Sequence, residues 1–448
     1  MKRRTALAHL APAARLLLAL SLFWLLALPS QAAQAIPPDP ASVSAPVRYV
    51  APGGACGGAT PCHATVQAAV DAAAAGQVIK IAQGTYSQLN NRAGTTQVVH
   101  ISKAVTLRGG YSVANGFAEP PRPDSRRTIL DAHSEGRVVV IDGAGPTLEG
   151  LVITGGAGYD SGGGIYSLNG SAVIRNCEIA DNEADGDGGG VFINRGSVQV
   201  LDSQIVDNRA NWAGGLRIIN NADATLIGNR IAGNVAQISG GGIDIDCCGG
   251  TSPYVARNLI LDNRGGSRGG GVIVNATKGL LVNNIIAGNE ASQGAGVWLD
   301  GSASHPATAT LTHNTLFGSP TATDGVWVGE SVTAALTNNI IDGFTSGITN
   351  NSPFYSTVSA RNTLFHANTS STSGGVDSLF EFHGNPGFLA PLSDDYHIGR
   401  SSAGLDQGQV TKVTEDFDGQ RRSIGAAPDI GADELGWTVY LPGVLRRP

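Results

Sequence analysis

Gly162-Gly163-Gly164-Ile165, Gly188-Gly189-Gly190-Val191, Gly214-Gly215-Leu216, Gly240-Gly241-Gly242-Ile243, Gly269-Gly270-Gly271-Val272 and Gly294-Ala295-Gly296-Val297 recur at nearly constant spacing, then fade to Gly325-Val326. Successive runs end 25 to 29 residues apart. A second element keeps step with them. It reads Ile179-Ala180-Asp181-Asn182, Ile205-Val206-Asp207-Asn208, Ile231-Ala232-Gly233-Asn234, Ile260-Leu261-Asp262-Asn263 and Ile286-Ala287-Gly288-Asn289. Two residues before each Ile stands Cys177, Ser203, Asn229, Asn258 or Asn284, and the register continues through Asn314, Asn339 and Asn362.

Between these markers the apolar residues alternate in short runs, as in Val191-Phe192-Ile193 or Ala224-Thr225-Leu226-Ile227. Runs of three to five at period two, broken by Gly and Asn, are short strands and turns and not helices. About 26 residues with roughly three strands make one coil of a parallel β-solenoid, each coil stacking on the last at ~4.8 Å. Repeated Asn at one turn position predicts a side-chain ladder, with Asn229, Asn258, Asn284, Asn314, Asn339 and Asn362 as its rungs. A leucine-rich repeat shares the period, but the Leu-x-x-Leu-x-Leu skeleton it needs is absent.

Composition agrees with such a chain. Glycine is 62 of 448 residues and proline 21, which suits tight turns, while 42% hydrophobic residues suffice for a core. The formal charge of −7 and the lack of a long basic run argue against a nucleic-acid partner. Lys2, Arg3 and Arg4 precede the apolar run Leu16–Leu28, and Ala33-Gln34-Ala35 has the small-x-small form of a cleavage site. Residues 1–35 therefore read as a secretory signal peptide, too short in its apolar run to span a bilayer of ~30 Å. Its removal takes four positive charges and moves the net charge from −7 to −11. No later stretch is apolar enough to span. In an oxidising compartment Cys56 and Cys62, bracketing a Gly-rich loop, are expected to form a disulfide.

The Gly-Gly-x-Ile and Ile-x-x-Asn pairing resembles the secreted right-handed parallel β-helix, or pectin-lyase-like, proteins. It also resembles the repeats of chlamydial polymorphic outer-membrane proteins. The fold expected is all-β, a right-handed parallel β-helix (solenoid) of about ten coils with a short N-terminal capping helix and an irregular C-terminal cap. Residues 36–47 read as a Pro-rich linker, 48–100 as the N-terminal cap and first strands, and 101–370 as the repeats. Within the cap, Thr65 to Ala73 carries apolar residues at helical spacing. Residues 371–436 are aperiodic and read as a segment packing on the final coil. Their Asp416-Phe417-Asp418-Gly419 and Asp429-Ile430-Gly431-Ala432-Asp433-Glu434 elements resemble the tail of choice-of-anchor surface proteins. The final stretch, 437–448, is either a sorting or attachment tail or a simple C-terminal strand.

No nucleophile elbow, phosphate loop, metalloprotease helix or dinucleotide fingerprint is present. The polygalacturonase elements are missing from the coils, which leaves catalysis without a signature. Site residues follow from strand alternation instead. If Ile165, Val191, Leu216, Ile243, Val272, Val297 and Val326 point inward, then Tyr166, Phe192, Arg217, Asp244, Ile273, Trp298 and Trp327 point out. Two residues on come Asp246 and Asp300. Exposed rings beside acids would stack on pyranose faces and bind hydroxyls. The substrate-binding set expected is thus Tyr166, Phe192, Arg217, Asp244, Trp298, Asp300 and Trp327. Asp244, Asp246 and Arg217 are the catalytic candidates; no metal or cofactor is expected, and if Ca2+ binds, Asp244 and Asp246 would be its ligands. The reading is an exported cell-surface or extracellular protein that binds polysaccharide or acts as an adhesin. The alternatives are a polysaccharide lyase or glycoside hydrolase on the same face, and a purely structural surface protein.

Overall fold

The computed structural model describes residues 47–118, 127–246, 251–319 and 321–436. The expected signal peptide, nearly all of the linker, Cys247-Cys248 and the 437–448 stretch lie outside them. One coil shows how the chain winds. Glu183–Asp187, Val191–Asn194, Ser197–Leu201 and Gln204–Val206 are successive strands. Arg209–Trp212 then lies parallel to Glu183–Asp187 and begins the next coil. A 24-stranded sheet receives two strands from most coils, a 12-stranded sheet receives one, and a 5-stranded sheet adds a further strand in the middle coils. Apart from antiparallel Asn90–Arg92, the 12-stranded sheet stacks eleven parallel strands, one more coil than the period suggested.

The register matches the pattern residue for residue. Ile165 pairs with Val191, Val191 with Leu216, Leu216 with Ile243, Ile243 with Val272, Val272 with Val297 and Val297 with Val326. All are fully buried along the axis, where each such side chain contributes about 1.5–3 kcal/mol. At the corner before this column, a Cβ on Gly190 would lie 2.7 Å from the Gly215 carbonyl oxygen. Only glycine lets successive corners stack that closely.

Two Asn ladders run inside the turns. In one, Asn229 Nδ2 donates to Asn258 Oδ1, and the pattern repeats through Asn284, Asn314 and Asn339 at 2.9–3.1 Å. In the other, Asn182, Asn208, Asn234, Asn263 and Asn289 link at 2.9–3.0 Å. The residue before each rung carries the left-handed backbone: Gly228, Arg257, Asn283, His313 and Asn338 in the first, Asp181, Asp207, Gly233, Asp262 and Gly288 in the second. Asn362 belongs to that preceding column, with φ 48°. It is therefore not a rung; Thr363 stands at the rung position, beside Leu364, which pairs with Ile340.

Val66–Ala72 forms the predicted helix over the open first coil, Thr65 Oγ1 accepting from Ala68 N at 3.1 Å. Its Val66, Ala69 and Val70 join the core. Cys56 and Cys62 are disulfide-bonded. No helix among the described residues is long and apolar enough to cross a membrane.

The C-terminal segment departs from expectation. Strands Ser370–Ser373 and Asp377–His383 still stack on the solenoid, so coils continue past residue 370. Beyond His383 the chain does not close the last coil. It runs back along the double-width sheet, where Phe388, Tyr396 and Phe417 cover Leu259, Leu261, Ile285 and Phe317. The reason is apolar: those strands carry outward hydrophobic residues that water would otherwise contact. Side chains of the left-handed column hold the segment, as Asn338 bonds Gln409 in both directions at 2.8 and 3.0 Å and Asn362 Nδ2 donates to Gln407 O at 3.0 Å.

Candidate functional site

The outward column is continuous. Tyr166, Phe192, Arg217, Asp244, Ile273, Trp298 and Trp327 pair in sequence down the 12-stranded sheet. It is not an exposed face. Phe192, Arg217, Asp244, Trp298 and Trp327 are buried, Trp298 to 3% exposure. The chain bends at the glycine runs, so the 5-stranded sheet and the loops beside it stand over this column. Asp187 at the end of one such strand lies 3.1 Å from Arg217, and the Trp212 ring lies under the same guanidinium at 5.5 Å. The Arg268 guanidinium covers Trp298 at 5.2 Å, while Trp298 and Trp327 stack with centroids 5.4 Å apart.

Arg217, Asp244 and Asp246 are brought together, but as a packed ionic cluster. Arg217 reaches Asp244 Oδ2 at 3.3 Å and Asp246 Oδ2 at 2.8 Å, and Asn275 donates to Asp246 Oδ1 at 2.8 Å. The Arg217 guanidinium stands between these carboxylates, and Asp244 is buried. Asp300 is spent on structure, accepting from the Glu330 backbone N–H at 2.8 Å. The expectation that this column is an exposed face is therefore corrected: Phe192, Arg217, Asp244, Trp298 and Trp327 are covered, while Asp300 is half-buried. Tyr166, half-exposed, borders open space.

Three carboxylates around one guanidinium leave excess negative charge. Burial pushes the Asp244 pKa up to about 7, with Arg217 opposing and Asp246 and Asp187 adding to the rise. Burial likewise raises Asp429 to about 6. A folded-state pKa above the unfolded value of 3.8 means that the native state binds the proton more tightly. That stability is present below about pH 4 and is lost as pH rises through 6 and 7. Asp244→Asn keeps position 244 uncharged at every pH. It is expected to flatten the decline of Tm between pH 5 and 8 and to gain on the order of 1–2 kcal/mol at pH 8. Parallel melting curves for parent and variant would contradict this.

The open space begins at Tyr166. A groove of about 570 Å3 lies between the hairpin loop 93–96 and the segment 157–160, lined also by His100, Arg137, Asp142 and Tyr166. Tyr159 is 82% exposed and Tyr166 stacks on Phe192 with centroids 5.4 Å apart. The Arg137 guanidinium lies 4.7 Å over the Tyr166 ring. It also pairs with Asp160, and its Nε donates to Ser161 O at 2.8 Å. His100 Nε2 lies 4.0 Å from Asp142 Oδ2. These residues were findable. His100, Val140 and Tyr166 form one column, and Asp142 pairs with Leu168. The glycine marker fails in those first coils, so the column is cut short when counted from the glycines.

Residues 125–316 match the family model described as a right handed beta helix region. The chain is a right-handed parallel β-helix. A crystal structure of pectate lyase Pel9A superposes on this β-helix with a TM-score of 0.56, at 15% identity over 88% of this chain and 98% of that one. The catalytic unit of thermostable GH87 α-1,3-glucanase from Streptomyces thermodiastaticus strain HF3-3 gives a TM-score of 0.33 at 15% identity, over 67% of this chain and 57% of that one. No curated protein matches the sequence. At such identity the likeness speaks for the β-helix alone.

Proposed function

We propose that the chain is an exported cell-surface or extracellular protein that binds a polysaccharide in the groove around Tyr159 and Tyr166. The observation that carries this reading is the exposed Tyr159 ring in a single concave site with Arg137, Asp142, Asp160 and the edge of Tyr166, whose faces are taken by Phe192 and Arg137. Aromatic faces stack on pyranose rings, and carboxylates accept hydrogen bonds from sugar hydroxyls. Two carboxylates against one guanidinium suit a neutral polymer better than a polyuronate. A fold shared with a pectate lyase is compatible with a carbohydrate ligand.

The test is retention and calorimetry on neutral and acidic polysaccharides. A neutral glucan or related polymer is expected to be retained, with Tyr159→Ala and Tyr166→Ala each weakening binding about tenfold. Retention unaffected by both substitutions, or no retention, would remove this reading and leave a structural surface protein. A second reading, a hydrolase or lyase, rests on Asp142, Asp160 and His100 lining the same groove. It predicts new reducing ends or unsaturated products, lost in Asp142→Asn and Asp160→Asn.

A further inference from the structure

The returning C-terminal segment brings two carboxylates from elsewhere in its length, Asp418 and Asp433, to one imidazole that already has Asp395 beside it. His397 Nδ1 lies 2.6 Å from Asp395 Oδ1, and His397 Nε2 lies 2.7 Å from Asp418 Oδ2. A carboxylate oxygen of Asp433 completes a group in which all three ligand atoms, from His397, Asp418 and Asp433, lie within 4.8 Å of one another. Asp433 is 3% exposed. Its Oδ2 accepts from Ile398 N at 2.8 Å, but its Oδ1 is buried without a hydrogen-bond partner.

We propose that His397, Asp418 and Asp433 form a binding site for one Zn2+ ion, with Asp395 orienting the imidazole. A proton on His397 would account for its bonds to Asp395 and Asp418. It would leave Asp433 Oδ1 buried and unsatisfied, at a cost of about 1–3 kcal/mol or more for a charged group. A cation at the centre satisfies all three. The donor set, one imidazole nitrogen and two carboxylate oxygens, is one that Zn2+ accepts at about 2.0–2.2 Å. Tetrahedral ligands at these lengths lie about 3.3–3.6 Å apart, so the 2.7 Å gap between His397 Nε2 and Asp418 Oδ2 has to open by about 0.6–0.9 Å, a movement that falls to the exposed Asp418 side chain. Asp395 on Nδ1 is the carboxylate that commonly fixes the tautomer of a metal-bound histidine. Exposure of Asp418 also gives the ion an entry path and room for a water as fourth ligand.

The ligands come from the strand Asp395–Ile398, the turn containing Asp416-Phe417-Asp418-Gly419, and the segment 429–434. One ion would therefore fasten three parts of the returning segment to each other. The experiment treats the purified full chain with chelator, adds ZnCl2, removes the free ion by desalting, and counts bound zinc by mass spectrometry alongside Tm. One zinc per chain and a higher Tm are expected. Asp418→Asn and His397→Gln should each weaken binding by at least tenfold, and Asp395→Asn by about tenfold. His383→Gln, at a separate exposed His–Glu pair, should change nothing. Should His397→Gln fail to fold, Asp418→Asn at its exposed position decides. No retained zinc, or equal retention by parent and Asp418→Asn, overturns the assignment.

Discussion

Asn258→Ala is expected to lower the unfolding free energy by about 3–5 kcal/mol, more than a surface change of the same size by an order of magnitude. The side chain is wholly buried and makes four hydrogen bonds. Its Nδ2 donates to Leu226 O at 2.9 Å and to Asn284 Oδ1 at 3.0 Å. Its Oδ1 accepts from Asn229 N at 3.0 Å and Asn229 Nδ2 at 2.9 Å. Alanine leaves two donors of Asn229 and the Leu226 carbonyl facing an apolar void. Each orphaned group costs about 1–3 kcal/mol, and the missing volume adds a cavity. Asn258→Asp is a sharper control, because it keeps the shape while replacing both donors with a buried charge. Urea denaturation monitored by circular dichroism reads the difference. A loss under about 1 kcal/mol in Asn258→Ala would mean that the ladder is a by-product of stacking and not a source of stability.

The ladders also show why one part of this molecule is legible in its sequence and another is not. Stacking makes every coil solve the same packing problem, so Ile165, Val191, Leu216 and Ile243 repeat because each meets its predecessor directly. The period thus reveals strands, register and the inward column. It misplaces Asn362 by one residue, because Asn serves two adjacent columns: a rung needs its amide, and the preceding position needs a left-handed backbone that Asn also tolerates. The outward column is read correctly in order and wrongly in exposure. Alternation tells which side of a strand a residue occupies, but not that Asp187, Trp212 and Arg268 from a neighbouring sheet cover that side. The returning segment has no period at all. Its contacts join positions more than a hundred residues apart, such as Arg422 with Asn283, and nothing local signals them.

That long-range contact carries the second large effect: Arg422→Met is expected to destabilise the protein by about 3–5 kcal/mol and to release the C-terminal segment. Arg422 is almost fully buried and donates to Gly431 O at 2.8 Å, Ala432 O at 2.7 Å and Asn283 Oδ1 at 2.8 Å, with Glu434 Oε2 at 3.3 Å. Glu434, itself buried, accepts from Ile424 N and Asp429 N at 2.9 Å. The guanidinium thus joins the Asp429–Glu434 segment to the solenoid through one side chain. Methionine fills much of the volume but removes the charge, so Glu434 stays buried without its counter-ion. A lysine would restore charge without the planar fork that reaches several carbonyls at once, and Arg422→Lys should recover less than half of the loss. Limited proteolysis separates this from general unfolding. In Arg422→Met the chain should be cut first between residues 384 and 436, leaving a resistant fragment that ends near His383, where the last parallel strand stops. Cleavage spread evenly over the coils would show instead that the segment and the solenoid unfold as one unit. The arrangement explains why this aperiodic stretch is rich in Asp. It has no core of its own, and it stays in place by fitting charged and polar groups onto a surface that the coils have already built.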